Sequence, residues 1–129
     1  MGVMLTYRTT AAVDPDIRRQ IENDAKRLNA SRDWGITEPI RFYDDPDVLD
    51  GSSKITPGAD YAALVPDDEP DDVSFIVAQL ERWSSLHKIA WSVGIDEFEL
   101  GQIEDGSCSP ELLRAIEGLA QVSEDDFYT

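Results

Sequence analysis

Between Asp71 and Val122 the spacing of the apolar residues changes three times, and that change limits the fold more than any other feature of the chain. After the acidic pair Asp71-Asp72, Val73, Ile76, Val77, Leu80, Trp83 and Leu86 recur every three or four positions. That spacing predicts a helix with one apolar face, and the two aspartates suit its start by accepting hydrogen bonds from free backbone N–H groups. Ile89, Trp91 and Val93 then alternate, which is the period of a strand. Gly94 and Asp96-Glu97 offer a turn, and Phe98–Glu104 reads as a return strand with Phe98, Leu100 and Gln102 on one side. Asp105-Gly106 closes the hairpin. Ser109 and Pro110 supply a cap and a first-turn proline for a last helix carrying Leu112, Leu113, Ile116, Leu119 and Ala120. The stretch therefore reads as helix, hairpin, helix.

The preceding half supplies the remaining elements. Leu5–Thr9 alternates and is rich in β-favouring residues, predicting a first strand. Asp14-Pro15 starts a helix whose Ile17, Ile21, Ala25 and Leu28 share a face, and it should end before Trp34-Gly35. Ile40–Tyr43 is predicted as the second strand, and 44–60 as a loop with at most a brief strand near Ile55. Tyr61–Val65 is an apolar run of strand length, followed by the acidic connection 66–70. The order β-α-β-β-α-β-β-α predicts an α+β fold: a ferredoxin-like (split βαβ) sheet with an extra strand and a C-terminal helix. Residues 1–122 form the expected single domain, and 123–129 an acidic tail.

Charge narrows the partners. The chain of 129 residues has a formal net charge of −16. Residues 1–41 hold seven basic and six acidic side chains, whereas 42–129 hold four basic and 21 acidic. Such a surface repels polyanions, which argues against nucleic acid and against anionic membrane. Met1–Thr6 matches the myristoylation pattern formally, but reads as the lead into the first strand. No run of 18 apolar residues and no basic-then-apolar leader is present, and one cysteine cannot form an internal disulfide. A cytoplasmic location is expected. Aspartate outnumbers glutamate 17 to 10 and arginine outnumbers lysine eight to three. Adaptation of a whole proteome to salt would produce the same bias without a partner.

Few residues are equipped for catalysis. Cys108 precedes a predicted helix, where the helix dipole favours a thiolate, and His87 is the only histidine that could serve as its base. Against this pair stand Glu104, Asp105 and Glu111, whose charge raises a thiol pKa. Asp45, Asp47 and Asp50 fail the EF-hand pattern, which needs glycine at the sixth position and glutamate at the twelfth. One cysteine and one histidine do not make a zinc site, and no glycine-rich phosphate loop is present, so no cofactor and no metal is expected.

Asp96, Glu97, Glu99, Glu104 and Asp105 cluster on the hairpin, with Trp91 or Phe98 as an aromatic anchor if exposed. The expectation is a small, soluble, non-catalytic protein that binds a basic protein partner through this acidic surface. The alternative is a small enzyme or ligand-binding domain with its site near the 44–60 loop and Cys108. Oligomeric state is not legible in the sequence.

Overall fold

Tyr7 and Trp91, neighbours but one across two paired strands, mark the centre of the molecule, and both are wholly buried. The computed structural model describes residues 3–31, 38–55, 72–96 and 98–121. Its elements are β1 (Val3–Thr9), α1 (Pro15–Ser31), β2 (Asp50–Ile55), α2 (Asp72–His87), β3 (Trp91–Ile95), β4 (Phe98–Glu104), β5 (Ser107–Cys108) and α3 (Pro110–Gln121). The fold is α+β: three helices and a five-stranded sheet of order β2-β1-β3-β4-β5, every neighbouring pair antiparallel. Because β2 and β3 each run antiparallel to β1, they run parallel to one another with β1 between them, and α2 lies between them in the chain. None of the helices is long and apolar enough to cross a membrane, among the described residues.

The register sorts the side chains into two faces. Leu5 lies opposite Ser53 and Ile95, and Tyr7 opposite Gly51 and Val93, so one face gathers Leu5, Tyr7, Ile55, Trp91, Val93, Ile95 and Ile103. These join Ile21 and Ala25 of α1, Ile76, Val77, Leu80 and Trp83 of α2, and Leu112 of α3 in one core. Burying Trp83 and Trp91 alone contributes on the order of 4–6 kcal/mol each before chain entropy is set against it. Phe42 stacks on Trp91 with ring planes 22° apart and meets Tyr7 edge-on at 5.9 Å. Asp24 ties α1 to α2, accepting from Trp83 Nε1 at 2.9 Å and pairing with Arg82 at 3.2 Å and with Arg27. Met4, Thr6, Arg8, Lys54 and Ser92 alternate onto the opposite, polar face.

Three expectations move. Ile40–Tyr43 is not a strand but a single bridge, Phe42 to Gly51. The strand that pairs with β1 comes instead from Asp50–Ile55, inside the expected loop. Its Gly51 is required: a Cβ there would lie 2.5 Å from the Tyr7 ring and 2.3 Å from the Arg41 carbonyl oxygen. The predicted 89–93 strand sits two residues later, so Gly94 is a buried strand residue and the turn falls at Asp96, whose φ is 53°. The expected strand Tyr61–Val65 and the tail 123–129 lie outside the described residues.

Candidate functional site

The hairpin β3–β4 and its continuation into α3 bring most of the acidic candidates to one end of the sheet. Pairing slips between Val93 and Gly94: Gly94 faces Glu99 and Val93 faces Gly101, so Leu100 is the extra residue of a bulge. The slip moves the inward positions of β4 to Gly101 and Ile103, which corrects the expectation that Phe98, Leu100 and Gln102 lie on one side of the strand. Phe98, paired with Ile95 at the turn end of the hairpin, is 77% exposed. Trp91, the other aromatic candidate, is fully buried and belongs to the core, so it is no anchor.

A second turn follows at Asp105 and Gly106, with φ of 51° and 80°. It sends the chain back as β5, pairing Cys108 with Ile103 and Ser107 with Glu104. Ser109 then fixes where the helix begins. Its N–H donates to the Gln102 carbonyl at 2.7 Å, and its Oγ accepts from Gln102 N at 3.2 Å and Leu112 N at 3.3 Å. The serine thus caps α3 and holds it on β4 at once. Gly101 allows the approach, since a Cβ there would lie 2.5 Å from Ser109 Oγ and 2.8 Å from Leu112 Cβ.

Between these elements lies a groove of about 630 Å³ lined by Glu99–Gln102, Glu104, Asp105, Ser107–Ser109 and Glu111. Four of its residues are carboxylates, and none is a lysine, arginine or histidine. Of the predicted acidic residues, Glu99, Glu104 and Asp105 meet here. Asp96 lies around the corner on the polar face, in a smaller hollow with Arg8 and Phe98, and its carboxylate accepts from Met4 N at 3.0 Å. Glu97 falls outside the described residues. Glu111, which the sequence places on the last helix just after the acidic hairpin, is brought into the groove by the Ser109 cap.

Cys108 sits at the rim of this groove with chemistry unsuited to attack. Burial and then the Glu81 carboxylate, which accepts a hydrogen bond from the thiol, push its pKa from 9.0 up to about 11. Its hydrogen-bond acceptor is therefore an acid, Glu81, while the candidate base His87 ends α2. The helix dipole expected to favour a thiolate is outweighed by desolvation and negative charge. Nor does Cys108 lie beside the described part of the 44–60 loop, residues 44–55. That loop runs into β2 and Cys108 lies in β5, the two opposite ends of the strand order, roughly 19 Å apart at four strand spacings. Asp45 in that loop serves its own turn, accepting from Asp47 N at 2.9 Å and Val48 N at 3.1 Å, and these bonds hold its carboxyl below the usual range. Among the described residues no group of three or more His, Cys, Asp or Glu side chains is placed to hold a metal ion.

Comparison with protein-family models, with curated proteins and with solved structures finds no match to this chain.

Proposed function

We propose that this is a non-catalytic binding protein whose β4–β5–α3 groove receives a cationic segment of another protein. One observation carries the reading: Glu99, Glu104, Asp105 and Glu111 face a single concavity that has no basic side chain of its own. Like charges gathered without an internal counter-charge repel one another, and a lysine- or arginine-bearing partner relieves that repulsion while gaining attraction. Phe98, exposed in the neighbouring hollow that shares Glu99 with the groove, supplies the apolar contact that rim charges lack. The thiol's raised pKa turns the reading away from nucleophilic chemistry. In the same proposal the first six elements form a ferredoxin-like core, supported by the split arrangement of β2, β1 and β3, with Phe42 as the remnant of the edge strand. A reducing, cytoplasmic setting accords with the lone free cysteine.

The test compares two charge reversals of equal size. One variant carries Glu99→Lys, Glu104→Lys and Glu111→Lys; the other carries Asp14→Lys, Asp16→Lys and Asp47→Lys, all exposed and outside the groove. Each is titrated with a hexa-arginine peptide by calorimetry at low and moderate salt. The groove variant should lose at least tenfold more affinity than the control. Equal losses would show that charge is spread over the surface without a site, as salt adaptation predicts.

A further inference from the structure

A second concavity lies at the other side of the sheet, between α1 and residues 40–44. Two side chains of α1 tie the helix to that segment. Asn29 holds both backbone groups of Ile40, its Nδ2 donating to the carbonyl at 2.8 Å and its Oδ1 accepting from the N–H at 3.1 Å. Arg18, three turns earlier, donates to the Val48 carbonyl at 3.1 Å and the Tyr43 carbonyl at 3.4 Å. About 16 Å of helix runs between these ties, and residues 18, 22, 25, 26 and 29 share the face that looks onto the segment. The cavity measures about 440 Å³, a size suited to a small organic molecule. Its floor is apolar: Ala25 and Ile40 are buried, and Phe42 is half-buried on top of Trp91. Tyr43 makes a fixed wall, its hydroxyl bonded to Ser52 Oγ and its ring lying under the Arg41 guanidinium at 5.6 Å.

The charges around this floor are of both signs. Arg18 and Glu22 pair at 3.0 Å and cancel one another. That leaves Lys26 on the helix wall and Asp44 on the opposite one, both exposed, and neither makes a hydrogen bond or an ion pair among the described residues. An ammonium and a carboxylate thus border one cavity without touching, with an apolar floor below them. We infer that the cavity binds a small zwitterion with an apolar body, of the class of a free α-amino acid such as leucine. Its carboxylate pairs with Lys26, its ammonium with Asp44, and its side chain covers Ala25, Ile40 and Phe42. A ligand with one charge satisfies one wall and takes water from the other, which makes the site selective for molecules that carry both. The cavity shares no residue with the acidic groove, so the inference stands apart from the reading above.

The experiment titrates the full chain with L-leucine and follows backbone amide shifts by NMR. Binding should saturate with a Kd on the order of 1 mM, and the shifts should centre on Ala25, Ile40 and Phe42. Two probes each lack one charge: 4-methylpentanoate has no ammonium, and 3-methylbutylamine has no carboxylate. Both should bind at least tenfold more weakly than leucine. Lys26→Gln and Asp44→Asn alter exposed side chains, so spectra away from the cavity should stay as in the wild type. Lys26→Gln should weaken leucine at least tenfold and leave 3-methylbutylamine unchanged, whereas Asp44→Asn should weaken leucine and leave 4-methylpentanoate unchanged. The inference is overturned by an absence of saturation up to about 20 mM leucine. Equal binding of the three compounds, leucine affinity unaltered in either variant, or shifts centred on another part of the molecule would overturn it as well.

Discussion

Replacing Tyr7 by phenylalanine removes one oxygen from the middle of the core and should be felt twice, at neutral and at alkaline pH. Ser53 Oγ donates its hydrogen to the Pro39 carbonyl at 2.8 Å, so the Tyr7 hydroxyl, 2.8 Å from Ser53 Oγ, acts as donor in that pair. Its oxygen also accepts from Arg41 N at 3.1 Å. Tyr7→Phe therefore deletes one buried hydrogen bond and leaves the Arg41 N–H without that acceptor. A lost bond and an unsatisfied donor together cost about 1.5–3 kcal/mol, or about 1 M in the urea midpoint. Burial also pushes the Tyr7 phenol from 10.0 up to about 12. A folded-state pKa above the unfolded one means that this contribution is complete below pH 10 and is lost as pH rises from 10 to 12. The loss amounts to about 2–3 kcal/mol for a shift of that size. Urea titrations followed by fluorescence of the buried tryptophans, from pH 7 to 12, should show the wild-type advantage shrinking to near zero by pH 12. A variant within about 0.5 kcal/mol of wild type at pH 7, or two curves that stay parallel from pH 10 to 12, would refute the assigned hydrogen-bond geometry.

Gly51→Ala should destabilise by about 1–3 kcal/mol in the same assay, because the new methyl meets the Arg41 carbonyl and the Tyr7 ring. Asp24→Ala should cost a similar amount, about 1–3 kcal/mol, by stranding Trp83 Nε1; in a double-mutant cycle Trp83→Phe should remove most of that cost. With its pKa at about 11, Cys108 should be alkylated by iodoacetamide at pH 7.5 on the order of a hundredfold more slowly than a free cysteine peptide. Glu81→Gln should speed that reaction, and an unaltered rate would remove Glu81 as a cause of the shift. Phe98→Ser should change stability by less than about 0.5 kcal/mol, since the ring is exposed, while weakening binding of the basic peptide.

Local chemistry wrote much of this molecule into its sequence. The spacing of Ile17, Ile21, Ala25 and Leu28, of Ile76, Val77, Leu80 and Trp83, and of Leu112 with its neighbours specified three helices. Asp14-Pro15 and Ser109-Pro110 marked two of their starts, because caps and prolines act within a few residues of themselves. Alternation gave β1 and the β3–β4 hairpin, and with them the α+β class. Only tertiary structure made Asp50–Ile55 a strand: Gly, Ser, Ser and Lys have little intrinsic preference for one, but no larger residue than Gly51 fits against Tyr7, and Ser53 satisfies the phenol that β1 buries. The same holds at the groove. Acidity along the hairpin was plain in the sequence, but the slip at Leu100 decided that Gly101 and Ile103, not Leu100 and Gln102, take the inward positions, and the clamp of Ser109 on Gln102 decided that Glu111 joins Glu99 and Glu104. A period-two pattern carries no record of where a single residue is skipped, and charge carries none of which distant carboxylates will share one concavity. Packing settles both.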